Sequence, residues 1–243
     1  MSTTAGILII GDEILSGKIQ DENAPYLLRE LRVQGVDVGR VHTILDDIDV
    51  IASDVAAFSK AYDYVLTSGG VGPTHDDVTM DGVAKAFGRR LVQNERMKRM
   101  LEQALGDTEP NASQLKMCML PDGARLIESP DLWFPLVRVE NVSIFPGIPR
   151  LLQAKFHSSR SDFSGQPVVL RRIFMVCFES DVAEHLHQLL REFPELRLGS
   201  YPRVADEDYR TMLTLESRDR AYVDRALRVL VERIPSNDVV RVE

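Results

Sequence analysis

Three apolar runs near the start of the chain, AGILII at 5–10, VDVGRVHTIL at 36–45 and DYVLT at 63–67, each give way to residues in helical register. Ala24, Leu27, Leu28 and Leu31 follow the first, with Asn23 at the capping position; Ile48, Ile51, Val55 and Phe58 follow the second, opened by Asp46 or Asp47. Met80, Val83, Ala84 and Phe87 follow the third, closed by Gly88. Nearly continuous apolar strands alternating with amphipathic helices predict a parallel sheet covered on both faces. A further helix is expected from Asn94 to Leu105, with Gly106 just past its end. ARLI, PLVRV and VSIF then crowd together, and PLVRVENVSIF reads as a hairpin turning at Glu140–Asn141. The sheet is therefore expected to be mostly parallel with an antiparallel excursion, after which FPGIPRLLQAKF turns into a last helix.

SSRSDFSGQ at 158–166 has linker composition, and the pattern changes beyond it. VVLRRIFMVCF is a strand, Val182, Leu186, Leu189, Leu190 and Phe193 mark a helix, and LRLGSYP and YRTMLTLES are two successive strands. A second helical stripe from Val223 to Ile234 and the strand DVVRV complete a β-α-β-β-α-β order, that of a small ferredoxin-like domain. The expected domains are 1–160 and 167–243.

With 243 residues, 44% of them hydrophobic and 27% charged, the composition is that of a soluble globular protein. No apolar run reaches the ~18–20 residues of a membrane span, and MSTTAGILII reads as a strand and not a signal peptide. Cys118 and Cys177 are expected as reduced thiols of a cytoplasmic protein. A net charge of −8 argues against a nucleic-acid surface, and the arginines between 218 and 233 read as a solvated helix face.

The chemistry concentrates in turns expected at the carboxyl ends of the strands: GDEILSG, LDD, SGGVGPTHDD and PGIP. Gly69, Gly70 and Gly72 leave the backbone bare to an approaching phosphate, Pro73 stiffens the turn, and Thr74 and Thr79 supply hydroxyls. Gly11, Asn23, Ser68, Lys116, Pro146 and Gly147 complete the candidate ligand contacts. Asp12, Glu13, Asp46, Asp76 and Asp77 come from three of these turns, and carboxylates around a phosphate repel it unless a cation intervenes. A divalent metal, Mg²⁺ or Co²⁺, held by Asp12, Asp76 and Asp77, resolves the conflict. Taken singly, Asp46 or Asp47 serves equally well as a helix cap, and His75 is an incidental loop residue or an acid. No C-x-x-C, G-x-S-x-G or GK[ST] sequence is present.

GDEILSG together with TSGGVGPTHDDVT resembles the molybdenum-cofactor-biosynthesis domain found in MoaB/Mog proteins and in CinA. QDEN, THDDVT, FPLVRVENVSIFPGIP and LGSYP look most like the N-terminal molybdopterin-binding-like domain of eukaryotic FAD synthases. The resemblance implies a three-layer α/β/α fold and a homo-oligomer. It also implies that Asp46 and Asp77 match the two active acids of Mog relatives. Two departures stand out: SPDLWFPLV replaces a GTAPG-like segment of CinA, and Arg150 stands where relatives often carry Glu after PGIP. No stretch resembles an FAD-synthesising or CinA deamidase domain, so neither activity is expected.

The leading expectation is a metal-dependent pyrophosphatase acting on FAD or ADP-ribose. The alternative is a molybdopterin- or nucleotide-binding protein, non-catalytic or adenylyl-transferring, and a third reading is a degenerate domain kept for assembly.

Overall fold

The computed structural model describes residues 2–129, 132–203 and 208–243. Two compact units divide at Gln166/Pro167. The first unit opens with β1 (Thr4–Ile10), the one-turn α1 (Asp12–Leu15), α2 (Asn23–Val33), β2 (Asp37–Ile44), α3 (Ile48–Ala61), β3 (Tyr64–Ser68) and α4 (Thr79–Ala86). It continues through β4 (Leu91–Gln93), α5 (Glu95–Leu105), α6 (Ala112–Lys116), β5 (Met119–Pro121), β6 (Arg125–Ser129), β7 (Leu132–Val139), β8 (Val142–Phe145) and α7 (Pro149–Ser159).

Its main sheet has the order β2-β1-β3-β8-β7-β6. β1 pairs parallel with β2 and β3, and β3 pairs parallel with β8. β7 pairs antiparallel with both neighbours, and Glu140 takes a positive φ of 51° at the hairpin tip. The period-two alternation of a strand sends Ala5, Ile7 and Ile9 to one face, where Leu27, Leu31, Leu152 and Phe156 cover them. Leu8 and Ile10 face the other way, onto Ile51, Val55, Val83 and Leu101. Helices thus cover both faces, which makes the three-layer α/β/α fold. β1 lies between β2 and β3, so the chain leaves β1 in opposite directions and opens a crevice at their carboxyl ends.

The second unit runs β9 (Val169–Met175), α8 (Glu179–Glu192), β10 (Arg197–Pro202), β11 (Thr211–Ser217), α9 (Arg220–Arg233) and β12 (Val239–Val242). Its sheet is antiparallel throughout, in the order β10-β11-β9-β12, the ferredoxin-like arrangement. Ile173, Leu213 and Leu215 pack there on Leu189, Val223 and Leu230.

One local expectation is corrected, and two features lie outside the sequence reading. Asn23 does not cap α2; Asp21 Oδ1 accepts from the N–H groups of Asn23 at 2.9 Å and Ala24 at 3.2 Å, which frees the Asn23 side chain for another use. The pair β4–β5 went unread because three-residue strands carry too little alternation to be recognised. SSRSDFSGQ, which ends at the boundary of the two units, also carries a core residue: Phe163 is buried, stacked on Phe156 at 5.4 Å and edge-on to Tyr64 at 5.4 Å. Pro130 and Asp131 of SPDLWFPLV lie outside the described residues.

Phe163→Ala should cost about 3–5 kcal/mol of unfolding free energy, because it empties a closed aromatic cluster. Urea titration checks this; a loss under ~1 kcal/mol would mean that the segment does not belong to the core.

Candidate functional site

β1, β2, β3 and β8 run parallel and deliver four turns to one edge. Backbone bonds tie the turns together: Gly11 N–H donates to Ile44 O at 3.1 Å, and Gly69 N–H to Phe145 O at 3.1 Å. Gly69 has a φ of 112°, and a Cβ there would stand 2.0 Å from Ile10 O, so only glycine lets the third turn cross the end of β1. Thr79, fully buried, pins the loop from behind. Its N–H donates to Gly70 O at 3.0 Å and its hydroxyl to Gly69 O at 2.8 Å. That hydroxyl was expected to meet an anion; its burial and its bond to Gly69 make it a brace instead.

The N–H groups of Gly70, Val71 and Gly72 donate to nothing in the chain among the described residues. All three residues line a cavity of about 660 Å³, so donors are available to an anion there. Two carboxylates stand against this turn. A Cβ on Gly70 would lie 3.3 Å from Asp46 Oδ1, and one on Gly72 would lie 2.7 Å from Asp77 Oδ2. Asp77 Oδ2 accepts from Thr74 N–H at 2.8 Å and from the Thr74 hydroxyl, so Thr74, expected on the ligand, positions Asp77. Lys116 Nζ donates to Thr74 O and so holds the same loop; it is not among the residues lining the cavity.

Asp12 and Asp46 form a reciprocal pair. Asp12 N–H donates to Asp46 Oδ2 at 2.9 Å, and Asp46 N–H to Asp12 Oδ1 at 3.2 Å. Burial pushes the Asp46 carboxyl above the ordinary carboxylate range; the Asp12 N–H opposes this, and the charges of Asp12, Glu13 and Asp76 add to it. Asp76 goes the other way, held below that range first by the Thr74 hydroxyl, for which it competes with Asp77, then by its own backbone, His75 and Lys116. His75 itself is 98% exposed, with Nδ1 3.9 Å from Asp76 Oδ1. The ambiguity over the third helix is resolved: Asp47 is the cap, accepting from Asp49 N–H at 2.8 Å and Val50 N–H at 3.0 Å, which leaves Asp46 to the site.

The three acids expected to hold metal are not gathered into a cage. Among the described residues no group of three or more His, Cys, Asp or Glu could hold an ion. Asp12 and Asp77 each already accept backbone hydrogen bonds, and Asp76 points to solvent. The donor set nevertheless suits a hard cation that takes one or two carboxylates and completes its sphere with ligand phosphate and water, the usual habit of Mg²⁺. The carboxylates flanking Gly70 and Gly72 stand where such an ion and a phosphate would meet.

Asn23 and Ser68 lie behind the turns. Asn23 Nδ2 donates to Ser68 Oγ at 2.9 Å and to Gly147 O at 2.6 Å, and Ser68 Oγ donates to Pro146 O at 3.3 Å. This bracket fixes the PGIP turn against β3. Pro73, Pro146 and Gly147 line the cavity beside the glycines, while Gly11 is buried and its N–H is already bonded. Arg150 is exposed and does not line the cavity.

Glu13 also lines the cavity, and the rest of its wall is largely apolar: Met80, Met97, Met117, Trp133, Phe134 and Leu151 contribute to it. Among them lies a residue that the sequence reading missed. Lys155 of α7 is 1% exposed; Nζ donates to Phe134 O and sits 3.8 Å from the Phe134 ring centroid. Burial lowers its pKa to about 7. The signal was its spacing, since Lys155 falls three residues after the buried Leu152 and just before Phe156, inside the apolar stripe of the helix.

Residues 6–176 match the sequence family described as "Probable molybdopterin binding domain", and residues 167–243 match "FAD synthase, middle domain". A protein of Archaeoglobus fulgidus is 32% identical over 93% of this chain and 96% of its own length. A "Probable FAD synthase" of Caenorhabditis elegans is 31% identical over 97% of this chain, which spans only 51% of the worm protein. The crystal structure of the protein CinA of unknown function from Thermoplasma acidophilum superposes with a TM-score of 0.62 at 31% identity, covering 67% of this chain and 99% of that one. No helix among the described residues is long and apolar enough to cross a membrane, and both cysteines are free.

Lys155 makes stability depend on pH. Its folded pKa of about 7 lies below the unfolded value of ~10.4, so between them the unfolded chain binds more protons. The destabilisation is therefore full below pH 7 and fades as pH rises toward 10, on the order of 4 kcal/mol in all. Lys155→Met should raise Tm at pH 6 and flatten the slope between pH 7 and 10; an unchanged slope in thermal unfolding would contradict this.

Proposed function

The chain belongs to the family of probable molybdopterin-binding domains, and from that membership we propose that it hydrolyses the diphosphate bridge of a dinucleotide such as FAD, or of ADP-ribose, with a divalent cation. One observation carries the reading: a glycine turn with free N–H groups, flanked by Asp46 and Asp77, at a cavity whose remaining wall is aromatic and methionine-rich. Such a cavity suits a molecule with a doubly charged bridge and a flat ring.

A bound cation would neutralise bridge charge and lower the pKa of a coordinated water. Of Asp12, Asp76 and Asp77, Asp77 stands against the turn and would hold it directly, joined by at most one of the other two. The N–H groups of Gly70, Val71 and Gly72 bind the phosphate oxygens and take up the charge that develops on them. Asp46, fixed by Asp12, orients the attacking water. A water oxygen then bonds to one phosphorus, the bond to the bridging oxygen breaks, and the two halves leave as monophosphates while the water proton passes to solvent.

A second reading is favoured by the lack of a three-ligand group among the described residues. In it the same cradle binds a pterin or nucleotide without cleaving it. The name of the worm relative, "Probable FAD synthase", supports a flavin nucleotide as the ligand class in either case.

Incubation with FAD or ADP-ribose and Mg²⁺ or Co²⁺ should release AMP, measured by chromatography. Asp46→Ala and Asp77→Ala should each lower kcat at least ~100-fold. Asp47→Ala, which removes only a cap, should cost ~1 kcal/mol of stability and leave kcat within about twofold. Tight nucleotide binding without AMP under either metal would replace hydrolysis with the binding reading.

A further inference from the structure

Lys155 is the single cationic side chain lining the cavity among the described residues. Nζ has one hydrogen-bond acceptor, Phe134 O, and no carboxylate within ion-pair distance among the described residues. Among the charged groups on elements packed against α7, Arg29 of α2 is exposed and Glu30 and Arg160 are half-buried. Glu128 of β6 pairs with Arg96, Arg138 of β7 pairs with Asp162 at 3.0 Å, and Arg125 is exposed. Tyr26 of α2 stands edge-on to Phe156. Glu13 and Asp77 are the other titratable groups of the same cavity. A buried amine with one hydrogen-bond acceptor and one ring face is still costly, and an ammonium has three protons to give. The unmet donors border a cavity of about 660 Å³, ample for a fused ring system.

We propose that Lys155 determines which ring the cavity accepts, donating from Nζ into the carbonyl edge of an oxo-substituted fused ring, as flavins and pterins share, and selecting it over adenine. The proposal rests on the reading that the cavity receives the ring half of the ligand. Adenine offers no carbonyl: its acceptors are single ring nitrogens, and beside N1 and N7 its amino group turns a donor toward the donors of Lys155. A site built to hydrogen-bond one group rejects an analogue that lacks it. Because the amine is easily neutral when the cavity is empty, an acceptor arriving beside it favours the ammonium, and binding takes up a proton near neutral pH.

The test uses the full chain with riboflavin, pterin and adenosine, none of which carries a phosphate. Fluorescence titration and calorimetry in buffers of different ionisation enthalpy give affinity and proton uptake. Wild-type protein should bind riboflavin or pterin at least ~10-fold tighter than adenosine, with a proton taken up near pH 7.5 and affinity falling as pH rises from 6 to 9. Lys155→Met should lose ~10-fold and the proton uptake, and Lys155→Gln should recover part of the affinity. Equal binding of adenosine, unchanged affinity in Lys155→Met, or no ring binding at all would overturn the proposal. Should Lys155→Met fail to fold, a wild-type affinity that does not change with pH overturns it equally. Hydrolysis is read separately: selective ring binding without AMP release from FAD removes only the hydrolytic reading, and AMP release without ring selection removes only this one.

Discussion

The close crossing of Gly69 over the end of β1 is the contact on which the site depends. A Cβ would stand 2.0 Å from Ile10 O, inside any permitted contact, and the φ of 112° is itself closed to other residues. Gly147 approaches from the third side, where a Cβ would lie 3.3 Å from Gly69 Cα. Because the three turns meet at backbone distance, their side chains are brought round a single crevice. Asp46 on the turn after β2 and Asp77 beyond the glycines then border the same few N–H groups.

Two kinds of force divide the cavity. Near the glycine turn it is governed by unpaired donors and by carboxylates, and beside it Asp46 is raised first by burial and then by the charges of Asp12, Glu13 and Asp76. Its remaining wall is governed by desolvation: methionines and aromatic rings surround a lysine that burial alone makes easy to discharge. A ligand that satisfies both parts must carry negative charge at one end and a flat, partly polar ring at the other. This is the chemical outline of a dinucleotide or a phosphorylated pterin. The acids do not form a ready cage, so cation and phosphate are expected to depend on each other for binding.

Much of this was legible in the sequence because it rests on period and punctuation. The alternating strands and helical stripes gave the parallel sheet, the glycines marked the turn, and the order of apolar runs gave the ferredoxin-like second unit. What escaped notice depended on contacts distant in sequence. Asn23 looks like a cap until Gly147, far along the chain, supplies a carbonyl for its amide. Thr74 and Thr79 look like ligand contacts until Asp77 and Gly69 claim their hydroxyls. Lys155 looks like a surface lysine of an amphipathic helix until Trp133 and Phe134 wall it in with the cavity. Spacing indicates which face a residue takes, but not what a distant strand will bring against it.

The central claim is that anion, cation and acids meet at the Gly69–Gly72 turn. A crystal structure with a non-hydrolysable, methylene-bridged FAD analogue and Mn²⁺, phased on the manganese anomalous signal, puts this to the test. The account predicts the diphosphate on the N–H groups of Gly70, Val71 and Gly72, with the metal peak between it and the carboxylates of the turn. A diphosphate bound away from this turn, or a metal peak remote from Asp12, Asp46, Asp76 and Asp77, would contradict it.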